Sequence, residues 1–207
     1  DADAILLAVA PSDGAAAWET TLAEWPGLAA ALTAIDFKGA SGALVRVPNP
    51  HGATPLVVAG LGADTSVVAL REAVGAALRQ LTDFAAVAVA FPGRELTEQE
   101  AVAALEGAGL GAYAVGAYRA DGGKKRATTI TVHTGAELSE ASIRDAKSVV
   151  EAVALVKDLV TTPANDLGPA DLAAKAVEAV AGLPIEVEIF DAVALAAGGF
   201  GGILGVG

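Results

Sequence analysis

The chain contains no cysteine and no methionine, only two tryptophans, two tyrosines and two histidines, and 13 Lys+Arg against 25 Asp+Glu. The lack of cysteine removes disulfides, zinc ribbons and thiol nucleophiles at once. Basic residues are so few that the net charge is -12, and no basic run exceeds Lys124-Lys125-Arg126. Nucleic acid and anionic membrane surfaces are therefore poor partners. No apolar stretch reaches the roughly 18 uninterrupted residues of a membrane span, and no basic-then-apolar secretory signal opens the sequence. A cytoplasmic location is the default expectation.

What is present is apolar. Hydrophobic residues make up 54% of the 207 positions and charged ones 18%, a composition far from the disordered class and sufficient for one large domain or two small ones. The two ends are unusual. Asp1-Ala2-Asp3 runs at once into Ala4-Ile5-Leu6-Leu7-Ala8-Val9-Ala10, and the sequence closes on Gly201-Gly202-Ile203-Leu204-Gly205-Val206-Gly207, which reads as a buried strand leading into a loop. Chain ends are normally polar and frayed, so the expectation is that these residues form part of a longer protein.

Alternation and β-branched runs predict strands at Ile5–Ala10, Ala43–Val47, Pro55–Ala59, Ala85–Phe91, Thr128–His133, Ile185–Phe190 and Gly202–Val206. Helical patterns lie between them. Ala15–Leu32 predicts one or two short helices broken at Pro26. Ser66–Leu81 repeats Val67, Leu70, Val74, Leu78 and Leu81 at helical spacing, and Thr97–Gly116 opens with the capping box Thr97-Glu98-Gln99-Glu100. Ser139 is placed to cap a long helix running to Val160 and ending before Pro163, with a second helix from Pro169 to Val180 and a short one over Asp191–Ala197. Strands separated by helices predict an α/β fold, a mixed sheet sandwiched between helices, then a long connector and the first βα elements of a second α/β domain.

Candidate catalytic groups are few. His51 lies in the turn Pro48-Asn49-Pro50-His51-Gly52, and His133 follows Thr129 and Thr131 on the polar side of an alternating strand; neither has a partner at metal-ligand or triad spacing. Val57-Val58-Ala59-Gly60-Leu61-Gly62-Ala63-Asp64 is a strand entering a G-x-G turn before a helix, where backbone amides could cradle a phosphate. The third glycine of a dinucleotide fingerprint is missing, and a tight strand-to-helix turn needs glycine anyway. Glu106-Gly107-Ala108-Gly109-Leu110-Gly111 follows no strand and is better explained by close helix packing. Asp64, Glu98, Glu100, Asp121, Asp158 and Asp166 are scattered over caps, turns and polar helix faces, whereas a two-metal hydrolase needs carboxylates converging on one cleft.

Three segments together carry a resemblance. Leu155-Val156-Lys157-Asp158-Leu159-Val160-Thr161-Thr162-Pro163-Ala164-Asn165-Asp166-Leu167-Gly168-Pro169, followed by Ala173, resembles the R-D-L-x-N-x-P-x-N-x-L-x-P-x-x-x-A junction of the leucine (cytosol) aminopeptidases. Glu106–Tyr113 with Tyr118-Arg119 resembles that family's E-G-x-x-L-G-x-Y-x-F-x-x-Y-K helix, and Gly199–Gly207 its G-M-G-G-L-L-A-V-G strand. They occur in the family's order and at about its spacing. Lys157 stands where the family usually has Arg, Thr161 where it has Asn, and Phe200 where Met is common.

The resemblance implies an N-terminal α/β domain similar to macro domains (residues 1–135), a linker helix (136–162) and the beginning of a catalytic domain (163–207). It implies the N-terminal portion of a two-metal (Zn or Mn) leucyl aminopeptidase acting on peptide substrates and assembled as a homohexamer. The family's metal ligands follow the strand at which this sequence stops, so no catalytic, metal or cofactor residue is assigned, and the span alone is expected to be inactive and to serve assembly. The alternative is a macro-like binding module for a nucleotide or ADP-ribose. Some bacterial relatives also bind DNA through their N-terminal domains, a role that the charge of -12 disfavours.

Overall fold

A computed structural model describes every residue except Asp1, Asp13, Gly116, Ala117, Arg119, Asp121 and Gly207. Three details of the sequence reading therefore lie outside the described residues: Arg119 of the Tyr118-Arg119 pair, the Asp121 carboxylate, and Gly207. The helix predicted to run from Thr97 to Gly116 is corrected: it ends at Ala112, because Tyr113 turns out of the helical region at ψ 134°, and residues 113–115 are not helical.

The chain divides into two compact units, Asp1–Val156 and Lys157–Gly207. The first is a five-stranded sheet of β1 (Ala4–Val9), β2 (Leu44–Val47), β3 (Leu56–Gly60), β4 (Ala86–Ala90) and β5 (Thr129–His133), in the order β2-β3-β1-β4-β5. Strand β2 runs antiparallel to β3, and the other neighbours are parallel. The sheet is mixed, as its sequence pattern predicts.

Side chains of a strand alternate between faces, and the central strands bury both. Leu6, Ala8, Val57 and Val89 pack on one face against α3 (Val67–Gln80) and α4 (Glu98–Ala112), through Leu70, Val74, Leu78, Ala101 and Ala104. Leu7, Val9, Leu56 and Val58 pack on the other against α1 (Ala15–Thr21) and α2 (Leu28–Ala34), through Trp18, Leu22, Leu28 and Leu32. Each large buried aliphatic side chain is worth roughly 1.5–3 kcal/mol, so β1 and β3, buried almost throughout, anchor the unit. Pro26 and Gly27, the latter at φ 78°, separate α1 from α2.

The predicted caps form. Thr97 and Glu100 exchange the reciprocal bonds of a capping box: the Thr97 N–H donates to Glu100 Oε2 at 2.8 Å, and the Glu100 N–H to Thr97 Oγ1 at 3.3 Å. Ser139 accepts from the Ser142 N–H at 3.0 Å ahead of α5 (Glu140–Thr161). With 22 residues α5 is long, roughly 33 Å at the helical rise.

In the second unit, α6 (Pro169–Ala179) opens on its proline, and Gly168 N–H donates to Asp171 Oδ2 at 2.9 Å. Then follow α7 (Ala192–Ala197) and α8 (Gly201–Leu204). Two strand predictions are corrected here. Ile185–Phe190 is irregular, with a local bond from Ile185 N–H to the Leu183 carbonyl, and Gly202–Val206 falls largely in the single turn α8, closed by Leu204 N–H to Phe200 O and Gly205 N–H to Gly201 O. A strand is held by a neighbour's ladder, and no described residue of 157–206 is in a strand. Apolar alternation without a partner therefore leaves the backbone to satisfy itself locally.

Candidate functional site

The Gly60–Gly62 turn is occupied by the protein itself. Gly60 N–H donates to Ala43 O, Leu61 N–H to Val9 O and Gly62 N–H to Gly39 O, at 2.9, 2.8 and 3.0 Å. A Cβ at Gly60 would lie 2.1 Å from the Ala40 carbonyl oxygen, so glycine is needed there for backbone to pass backbone. Just beyond, Asp64 Oδ1 accepts the Ser66 N–H at 2.8 Å. That bond, with the Ser66 hydroxyl second, holds the Asp64 carboxyl below the usual carboxylate range. Three committed amides beside an ionised carboxylate do not form a phosphate cradle, and the nucleotide-binding alternative loses the feature that motivated it.

Neither histidine heads a catalytic set. His51 Nε2 donates to the Glu24 carbonyl at 2.7 Å and its ring meets Trp25 edge-on, 5.0 Å between centroids, so it pins the β2–β3 connection to the α1–α2 turn. His133 ends β5 on its exposed face with Thr129 and Thr131. The carboxylates likewise have structural work. Glu98 accepts from the Ser142 hydroxyl at 2.7 Å, joining α4 to α5, and Asp166 accepts from Asn165 Nδ2 at 2.8 Å. Thr97 N–H foremost, then the Arg94 guanidinium, holds Glu100 below its ordinary range. Among the described residues, no three His, Cys, Asp or Glu side chains come together as a metal would require.

The glycines of Glu106–Gly111 are the floor of a helix contact. A Cβ on Gly107 would lie 2.2 Å from the Arg71 carbonyl oxygen, and one on Gly111 2.3 Å from that of Gly75. Arg71 and Glu106 close the same contact with an ion pair of 3.0 Å.

An open cavity of about 830 Å³ lies at the amino-terminal ends of β1, β4 and β5, lined in part by Asp3, Asp83, Phe84 and the Lys124-Lys125-Arg126 run. Its frame is tied by hydrogen bonds. Asp3 Oδ2 accepts the N–H groups of Ala85 and Ala86, both at 2.9 Å, Asp83 N–H donates to Lys125 O at 3.0 Å, and Thr128 N–H to Ala85 O at 2.9 Å. In the sequence the basic run stands out only as the longest of its sign. Its convergence with Phe84, about 40 positions earlier, and with Asp3, about 120 positions earlier, depends on strand order and has no local signal.

Residues 12–122 match the N-terminal domain of the cytosol aminopeptidase family. A probable cytosol aminopeptidase of Leifsonia xyli is 44% identical, over 87% of this chain and 37% of the relative, and one of Streptomyces coelicolor is 37% identical, over 100% of this chain and 46% of the relative. The chain thus spans less than half the length of these curated relatives. Among solved structures, the bottromycin maturation enzyme BotP superposes with a TM-score of 0.75 at 21% identity, covering 100% of this chain and 43% of that one. A tomato leucine aminopeptidase variant superposes at 0.66 with 23% identity, covering 87% and 39%. At such identities the superpositions speak for the α/β fold, and the sequence matches for descent: the chain belongs to the cytosol aminopeptidase family.

Proposed function

We propose that this chain supplies the N-terminal portion of a metal-dependent leucyl aminopeptidase, a cytoplasmic hydrolase that removes N-terminal residues from peptides, and that the span itself serves assembly and scaffolding. The observation that carries the reading is the 44% identity to a probable cytosol aminopeptidase of which this chain spans 37%. In this reading residues 1–135 are a macro-like outer domain, 136–162 the linker helix and 163–207 the opening of the catalytic domain, within a homohexamer.

The reaction needs two divalent ions, Zn or Mn, to polarise the scissile carbonyl and activate water; the structurally similar BotP has been solved in complex with Mn. The donors among the described residues do not fit such a pair, since no three of them converge. No catalytic step is therefore assigned to these side chains. Their contribution is mechanical: a two-faced core and the long helix α5, fastened to α4 by the Ser142–Glu98 bond and by Val150 against Gly109.

The test compares the 207-residue chain with the complete product of its gene, identified by denaturing intact mass, in hydrolysis of a leucine anilide with Mn²⁺ or Zn²⁺. Activity confined to the complete product supports the proposal. Turnover by the 207-residue chain alone defeats the scaffolding role, and an inactive complete product defeats the aminopeptidase.

A further inference from the structure

We propose that the cavity at the amino-terminal ends of β1, β4 and β5 binds a small organic anion: an acidic head on an apolar body. The proposal stands on the lining of the cavity itself and does not rest on the aminopeptidase reading.

The chain as a whole is strongly acidic. At -12 it repels anions generally, yet its longest basic run lies on this cavity. Three cations, Lys124, Lys125 and Arg126, face two carboxylates, Asp3 and Asp83. Of the carboxylates, Asp3 is spent on the Ala85 and Ala86 amides and Asp83 is exposed, so the cations on the lining exceed the carboxylates by one. Of the cations, Arg126 donates to the Arg79 carbonyl in the last turn of α3 and so answers the negative end of that helix dipole. Lys124 and Lys125, both exposed, are left as the groups that an incoming acid would meet.

The apolar half comes from Phe84, Ala112, Ala114 and Ala127 on the same cavity. Phe84 is half-buried and packs on the core, and the Arg46 guanidinium sits over its ring at 5.4 Å from the centroid. A volume of about 830 Å³ suits a ligand of several rings or a short acyl chain. The bonds joining Asp3, Asp83, Ala85 and Thr128 hold the frame in place before any ligand arrives, which lowers the ordering cost of binding. Ligand sites in open α/β sheets ordinarily lie at the carboxyl ends of the strands. Here that end carries the self-filled Gly60–Gly62 turn, and the open volume is opposite.

The experiment titrates 2-naphthyl phosphate into the ¹⁵N-labelled chain and follows backbone amides. Saturable shifts confined to residues 83–86 and 122–128 are expected, with inorganic phosphate binding more weakly because it leaves the apolar wall unused. The K124E/K125E variant should bind about tenfold more weakly or worse, a loss of about 1.4 kcal/mol or more, while the amides of β1 and β3 keep their positions. Should that variant misfold, K124Q/K125Q provides the same comparison without added acid. Shifts that never saturate, shifts centred on residues 157–206, equal affinity for inorganic phosphate, or undiminished binding by the lysine variants would each overturn the proposal.

Discussion

Glu100 shows how a single side chain holds a helix start. Its two oxygens receive the Thr97 N–H and hydroxyl and the Arg94 guanidinium, with 18% of the side chain exposed. Those bonds favour the ionised form, so its folded-state pKa lies below the ordinary 4.5. The stabilisation is then fully present above the unfolded pKa and disappears as pH falls through the folded one. Urea denaturation should show wild type more stable than Glu100→Gln near pH 7, with the gap closing as pH drops below about 4. A gap that stays constant down to about pH 3 would mean the carboxylate's charge contributes nothing.

At the scale of elements, the α3–α4 contact is decided by glycine. Alanine at Gly107 gains roughly 1 kcal/mol of helix propensity, but its Cβ would sit 2.2 Å from the Arg71 carbonyl, a backbone atom that moves only if the helices separate. Overpacking of this kind costs on the order of 1–3 kcal/mol, so Gly107→Ala should be net destabilising in chemical denaturation. For Gly109→Ala the three nearest atoms all belong to the Val150 side chain, two methyl carbons at 2.7 and 2.9 Å and Cβ at 3.3 Å, and a side chain gives way more readily than a backbone carbonyl. The loss from Gly109→Ala should be smaller, and equal or reversed losses would refute the contact as described. Much at this scale was legible in sequence: the caps at Thr97 and Ser139, the break at Pro26, and five strands whose ends agree within a residue or so. The terminal strand predictions at Ile185–Phe190 and Gly202–Val206 failed because period-two alternation specifies a face to bury and cannot supply the neighbouring strand.

Over the whole molecule, stability is unevenly spread. Core residues of β1 and β3 are almost fully enclosed, whereas no described residue of 157–206 is buried, and Val193 and Ile203 are 76% and 57% exposed. Hydrogen exchange should accordingly be slowest at the amides of β1, β3 and β4 and fast through residues 181–206, since local opening there breaks little packing. Protection in 181–206 equal to that of β1 would contradict this division. The sequence by itself determined the fold class, most helix limits and the family, because apolar period, capping chemistry and ordered motifs are written in neighbouring residues. Only the tertiary structure decided that the Gly60–Gly62 amides are consumed by the chain's own carbonyls, and that Lys124 and Lys125 share a cavity with Asp3 and Phe84. Those outcomes depend on which strands lie side by side, and strand order is settled by contacts between residues tens of positions apart, where no local pattern reaches.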